Sequence, residues 1–142
     1  MKMQREYFSA EKDGFFGAYF PNPNAIDRCM IALLGDDIDD HMAVSGVKWL
    51  QSRNCNVMTM APGKKDYGHH SYPLERFEKA IGVIKQRGNR KIGIVGASTT
   101  GMMALVAASY YHDISLTIAM TPCDFIMEGF VRDGKDLSLI HI

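Results

Sequence analysis

Short, unbroken apolar runs recur along the chain, and longer segments of helical spacing separate them. Such runs are typical of parallel strands covered on both faces, because neither face then needs polar side chains. Glycine or proline lies at or near the end of each run, as expected where a strand gives way to a turn. The predicted strands are 28–34, 56–60, 91–96 and 116–120.

The segments between the strands carry apolar residues three and four positions apart, as amphipathic helices do. In the segment 73–87, for example, Phe77, Ala80, Ile81 and Ile84 fall on one helical face. The predicted helices are 39–53, 73–87 and 98–111. Strands and helices that alternate in this way predict a parallel sheet between two layers of helices.

Two aromatic-rich runs precede the first of these strands. They occupy 6–10 and 15–20, and the segment between them contains Gly14, which predicts an antiparallel β-hairpin. The predicted fold class is therefore α/β, with a mostly parallel sheet, helices on both faces and an N-terminal antiparallel hairpin. A chain of 142 residues is long enough to form one domain with its own core.

Composition argues against several function classes. Sixteen basic and sixteen acidic residues give no formal net charge, so nothing indicates a nucleic-acid partner or an anionic membrane surface. No apolar run reaches the length of a membrane span, and the charged N-terminus does not resemble a signal peptide. Cys29, Cys55 and Cys123 are too few and too scattered for a disulfide or zinc framework. We therefore predict reduced core cysteines and a cytoplasmic protein.

The segment 91–103, with the sequence KIGIVGASTTGMM, holds the clearest chemical signal. An apolar strand leads into a turn of small residues, and a helix follows. Ser98 lies two residues after Gly96, as in a nucleophile elbow, the tight strand-to-helix turn that exposes a reactive hydroxyl. The amino end of the following helix adds N–H groups and a positive dipole, which favour developing negative charge.

Two nucleotide-binding motifs that also place glycines after a strand fit this segment less well. A P-loop needs lysine and a hydroxyl residue after its second glycine, and Met102 and Met103 stand there instead. The glycine spacing of a dinucleotide-binding turn is also absent. The elbow itself departs from the G-x-S-x-G pattern, because Thr100 replaces the second glycine and Gly101 follows one position late. A plain structural turn between strand and helix therefore stays open as an alternative.

The order of hairpin, strands, helices and serine-bearing turn resembles the front part of the α/β-hydrolase fold. The likeness covers roughly residues 5–130 and lies in the segments CMIALLGDD, VMTMAPG, IGIVGASTTG and LTIAMTPCDF. The sequence looks closest to the C-terminal catalytic domain of acyl-CoA thioester hydrolases and bile-acid-CoA:amino-acid N-acyltransferases. Dienelactone-hydrolase-like esterases are near neighbours.

This resemblance implies that Ser98 attacks the carbonyl of a small-molecule acyl thioester or ester, in hydrolysis or in acyl transfer. It also implies an oxyanion hole made by the backbone N–H of Thr99 and by an N–H of the loop 35–37, here assigned to Asp36. The mechanism would be covalent, and neither a cofactor nor a metal is implied.

Several other residues have both an ordinary and a functional interpretation. His69 and His70 follow the strand 56–60, and Met102 follows the elbow, so all three are weak candidates for the substrate pocket. The aspartates around His41 have the composition of a metal site. They are more typical of a helix N-cap and an acidic first turn, which complement the helix dipole.

The base and the acid that a serine nucleophile requires are not evident after Ser98. In hydrolases of this fold both follow the serine on later strands. Here His112 and His141 follow it, and Asp124 is a candidate acid only for a variant order. We therefore expect an incomplete, C-terminally truncated domain, with 133–142 as a disordered or non-native tail, and little or no turnover from the fragment itself.

A second function class also stays open, a non-catalytic α/β binding or interaction domain derived from a hydrolase. The predicted strand 116–120 would then lie at the end of the sheet with its apolar residues exposed. Because an unpaired strand edge can pair with another chain, we expect self-association through it.

Overall fold

In a computed structural model of the protein, the structure describes residues 3–61, 72–124, 126–130 and 137–140. The strands are β1 (Glu6–Phe8), β2 (Gly17–Phe20), β3 (Arg28–Leu33), β4 (Asn56–Met60), β5 (Lys91–Ala97), β6 (Ile114–Met120), β7 (Ile126–Phe130) and β8 (Leu137–Ile140). The helices are α1 (Ala10–Asp13), α2 (His41–Gln51), α3 (Glu75–Gln86) and α4 (Thr99–Tyr110).

Six of these strands form one mixed sheet in the order β1-β2-β4-β3-β5-β6. Three neighbouring pairs of strands are parallel: β4 with β3, β3 with β5, and β5 with β6. The other two pairs, β1 with β2 and β2 with β4, are antiparallel. The predicted fold class, a mostly parallel sheet preceded by an antiparallel hairpin, is therefore confirmed.

The connection between β1 and β2 contains a short helix. Its first residue follows Ser9, whose hydroxyl accepts a hydrogen bond from the backbone N–H of Lys12 at 3.3 Å. The helix ends at Gly14, which has a φ of 78° and so adopts the left-handed conformation that glycine tolerates best.

The hydrophobic core lies on both faces of the sheet because the strand side chains alternate between them. On one face Ile31 and Leu33 join residues of α3 and α4, and on the other Met30 and Ala32 join residues of α2. This two-sided burial explains why the strands carry continuous apolar runs in the sequence.

The strands β7 and β8 form a separate antiparallel hairpin. The strand β8 lies within 133–142, where the sequence predicted a disordered or non-native tail, so four residues of that segment are in fact regular structure. Within the described part of the chain, β6 is the last strand of the main sheet, as predicted.

Of the three cysteines, Cys29 is buried, whereas Cys55 and Cys123 are half-buried. Among the described residues none of these three cysteines forms a disulfide, and burial raises the pKa of Cys29. No helix among the described residues is both long enough and apolar enough to cross a bilayer.

Candidate functional site

Ser98 occupies a strained turn between β5 and α4. Its φ of 54° and ψ of −121° lie outside the regions that non-glycine residues normally adopt, and such a conformation costs on the order of 1–3 kcal/mol. The side chain is exposed and does not cap α4. The structure therefore has the exposed serine that the sequence predicted.

Gly96 makes this turn sterically possible. A Cβ atom at this position would overlap the carbonyl group of Thr100. Gly101, by contrast, has its nearest neighbour, the carbonyl oxygen of Met120, at 3.2 Å from a Cβ built on it. The close approach of strand and helix therefore depends on the first glycine of the motif much more than on the displaced second one.

Thr100 fits into the turn because its hydroxyl has backbone partners. Its Oγ1 lies 2.7 Å from the carbonyl oxygen of Leu33 and 2.9 Å from that of Ala97, and it accepts a hydrogen bond from the Ala97 N–H at 3.0 Å. The residue is buried. The departure from the G-x-S-x-G pattern is thus accommodated without loss of the turn.

The loop after β3 is organised by a single carboxylate, that of Asp40. Its Oδ2 accepts hydrogen bonds from the N–H groups of Asp36 at 2.7 Å and Asp37 at 3.0 Å, and its Oδ1 accepts one from Ala43 at 2.8 Å as the N-cap of α2. Partial burial alone would raise the pKa of Asp40, but these N–H donors outweigh burial and hold the pKa below its ordinary value. The predicted helix N-cap in this acidic segment is confirmed, whereas the predicted acidic first turn is wrong, because the first turn of α2 contains no acidic residue.

These hydrogen bonds alter the predicted oxyanion hole. The N–H of Asp36, the predicted donor, already binds Asp40 in this conformation, so it does not face an empty site. Gly35 precedes it with a φ of 100°, and a side chain here would overlap Asp40. Among the described residues no hydrogen bond of the Gly35 N–H is seen, which leaves this group as a candidate donor of the loop.

A cavity of about 310 Å³ lies between this loop and the serine turn. Its lining comes from the ends of β3 and β5 and from the starts of α2 and α4, and consists of Leu33, Leu34, Gly35, Asp36, Asp40, Met42, Ala97, Ser98, Thr99 and Thr100. The structure therefore brings the predicted nucleophile, Ser98, together with Thr99 and the loop after β3 at the carboxyl ends of the parallel strands.

The methionine at the cavity is not the predicted one. Met102, the predicted pocket residue, is 4% exposed, belongs to the core between the sheet and its helices and does not line this cavity. Met42 is 63% exposed and lines it instead. Sequence reasoning missed Met42, because an apolar residue in an amphipathic helix is expected to face the core.

The other predicted site residues lie elsewhere or outside the described residues. His69, His70 and His141 are in the latter group. His112 follows the far end of α4, a helix of 12 residues and therefore about 18 Å long, so it cannot reach Ser98. His41 begins α2, and Asp124 is exposed beyond β6. In the described residues no group of three potential metal ligands is present.

The structure is similar to two solved structures. One is an esterase of Pyrococcus furiosus, with a TM-score of 0.59 and 17% identity over 76% of this chain and 44% of that chain. The other is Est1E from Butyrivibrio proteoclasticus, with a TM-score of 0.59 and 19% identity over 83% of this chain and 50% of that chain. The chain has the α/β-hydrolase fold. It spans about half the length of these two proteins.

A family model described as the C-terminal domain of bile-acid-CoA:amino-acid N-acyltransferase and acyl-CoA thioester hydrolase matches residues 72–136. This match covers a little under half of the chain and includes the serine turn. It agrees with the resemblance read from the sequence. No curated protein matches the sequence significantly.

Proposed function

We propose that this α/β-hydrolase domain carries the nucleophile and oxyanion hole of an acyl hydrolase or acyltransferase that acts on a thioester or ester. The observation that carries the proposal is the strained, exposed Ser98 at a cavity that also contains the loop after β3. The family-model match over 72–136 supports the thioester class of substrate.

In the proposed reaction, Ser98 Oγ attacks the carbonyl carbon while a general base takes the hydroxyl proton. The carbonyl electron pair moves onto its oxygen, which accepts hydrogen bonds from the N–H groups of Thr99 and Gly35. Collapse of this tetrahedral intermediate breaks the bond to the leaving thiol or alcohol, which receives the proton. Water or an amine then takes the acyl group from Ser98.

Two features of the site favour the oxyanion. Thr99 lies in the first turn of α4, where backbone N–H groups point along the helix axis and the dipole is positive. The hydrogen bonds that the Asp36 and Asp37 N–H groups donate to the Asp40 carboxylate hold the facing loop in one conformation before substrate binds. Such preorganised donors are worth about 10²–10³ in turnover each.

The hydrogen bonds described above do not include a general base for Ser98. Among the described residues, no imidazole makes a hydrogen bond with Ser98. We therefore assign the base to a residue outside the described part of the chain, and propose only the nucleophile and the donors here.

A serine-directed fluorophosphonate probe tests the assignment. It should label the protein at Ser98, as identified by peptide mass spectrometry, and should not label Ser98→Ala. Ser109→Ala is the matched control, because Ser109 is an exposed serine on the same helix whose hydroxyl binds the Val106 carbonyl. Hydrolysis of acyl thioesters by a protein that the probe does not modify at Ser98 would overturn the proposal.

The lack of a histidine bonded to Ser98 in the described residues favours one second candidate, a binding domain that holds an acyl ligand without turnover. Calorimetry with a non-hydrolysable acyl thioether would then show binding to wild type and to Ser98→Ala alike, while acyl thioester in the same solution stays intact.

A further inference from the structure

The hydroxyl of Thr100 joins two neighbouring backbone segments that both line the cavity. One segment ends β3 at Leu33, and the loop with the proposed Gly35 donor starts directly after it. The other ends β5 at Ala97, the residue before Ser98. Thr100 is 7% exposed, so this junction is shielded from water.

The hydrogen-bond geometry assigns a direction to each contact. A hydroxyl has one proton to donate and two lone pairs. The carbonyl oxygen of Leu33, at 2.7 Å, is closer to Oγ1 than that of Ala97, at 2.9 Å, so it is the better acceptor. The Ala97 N–H donates to the same oxygen at 3.0 Å. Thr100 therefore bonds both segments at once.

This link continues the sheet beyond its last paired residues. The pairing of β3 with β5 ends at Leu33 and Gly96. Beyond that point β3 leads into the loop 34–37, whereas β5 leads into the serine turn. The Thr100 hydroxyl is the next connection between them, and glycine at this position has no atom that could replace it.

We propose that Thr100 is a positioning residue that fixes the distance between the Ser98 hydroxyl and the N–H donors of the loop after β3. This inference rests on the proposed function, because it concerns the geometry of that same site. A small change in that distance affects the transition state, in which the oxyanion must meet its donors, more than it affects the binding of substrate.

Thr100→Val and Thr100→Ser separate the hydroxyl from the shape of the side chain. Valine keeps the branched shape and removes the hydroxyl, whereas serine keeps the hydroxyl. We expect Thr100→Val to lower kcat by about 10–10²-fold, the scale of a misplacement near 1 Å, with KM little changed. Thr100→Ser should stay close to wild type. Ile84→Val, a buried change on α3 away from the cavity, controls for a general loss of stability.

Amide NMR spectra provide a readout that does not depend on activity. In Thr100→Val the signals of Ala97 and of Gly35, Asp36 and Asp37 should shift, and in Thr100→Ser they should remain. Unchanged signals from the loop in Thr100→Val would overturn the positioning role, whether or not Ser98 is reactive.

The combined results distinguish the two proposals. If the probe labels Ser98 at equal rates in wild type and Thr100→Val, the positioning role fails while the proposed function stands. If Ser98 is unlabelled while the loop signals shift as expected, the proposed function fails and the structural link is real. A kcat of Thr100→Ser as low as that of Thr100→Val would also contradict a role for the hydroxyl.

Discussion

Ser98 donates its backbone N–H to the carbonyl oxygen of Met120 at a distance of 2.9 Å. Met120 is the last residue of β6, and Thr121 directly after it also has a positive φ, of 43°. The serine turn is therefore held by the ends of two strands besides its own, with Thr100 bonded to β3 and Ser98 bonded to β6. Strain at Ser98 is sustained by these neighbours rather than by local sequence.

The first prediction concerns Gly96. Gly96→Ala should destabilise the protein by about 1–3 kcal/mol or more, because the added methyl group overlaps the Thr100 carbonyl. Gly82→Ala is the matched control, since a Cβ there meets nothing within 4 Å and Gly82 lies inside α3. This second change should stabilise the helix by about 0.5–1 kcal/mol. Urea unfolding of both variants measures the difference, and equal stabilities would contradict the steric argument.

The second prediction concerns Asp40 and pH. Removing the cap in Asp40→Ala should cost about 0.5–2 kcal/mol of unfolding free energy at pH 7. Because folding lowers the pKa of Asp40, its contribution is present above the pKa of an unfolded aspartate, near 3.8, and is lost as the pH falls through the lower folded pKa. The stabilities of wild type and Asp40→Ala should therefore converge below about pH 4.

Asp36→Ala is the control for Asp40. It lies on the same loop and is exposed, and it keeps the backbone N–H that binds Asp40. Its stability should follow that of wild type from pH 7 to pH 3. A difference between wild type and Asp40→Ala that stays constant over this range would show that the charge of the carboxylate is not what holds the loop.

The third prediction concerns a buried amide pair at the opposite end of the sheet. Asn56 Nδ2 donates to Asn89 Oδ1 at 2.7 Å, and Asn89 Nδ2 contacts the Tyr19 hydroxyl at 3.1 Å. Asn89→Ala leaves these buried groups without their partners, at a cost of about 1–3 kcal/mol for each. A double-mutant cycle with Asn56→Ala should give a coupling energy of about 0.5–3 kcal/mol, while fluorophosphonate labelling of Ser98 is unchanged. A coupling near zero would show that the two amides act independently.

The fourth prediction concerns the edge of the sheet. Leu116 is 54% exposed on β6, the last strand of the described sheet, and we propose that this edge drives self-association. Sedimentation velocity should show concentration-dependent association that Leu116→Lys reduces. Leu105→Lys, at an equally apolar and 45% exposed position on α4, should leave it intact. An equal effect of both variants would point to general hydrophobicity instead.

Several elements followed directly from the sequence because their signals are local. The strand Asn56–Met60 has the predicted bounds, and α3 and α4 each begin and end close to the predicted residues. Buried parallel strands and amphipathic helices can be predicted from apolar periodicity, which depends only on neighbouring residues. The strained serine could be predicted for the same reason, since glycine and serine spacing define the turn.

Apolar periodicity and residue spacing could not predict which side chains and N–H groups line the cavity. The prediction placed Met102 at the pocket and Asp36 as a donor, whereas the structure has Met42 at the cavity and the Asp36 N–H bound to Asp40. The first difference arises from how the helices pack on the sheet, and the second from a hydrogen bond between residues four positions apart in one loop. Apolar periodicity encodes neither.

The sequence by itself determined the layered α/β architecture and the position of the serine turn, because both depend on burial patterns and backbone preferences of adjacent residues. Only the tertiary structure decided how that turn is held. Thr100, an apparent defect in the motif, forms hydrogen bonds with the carbonyl of Leu33, 67 residues away. A bond between residues so distant in the chain depends on how the sheet brings them together, so it could not be read from local spacing.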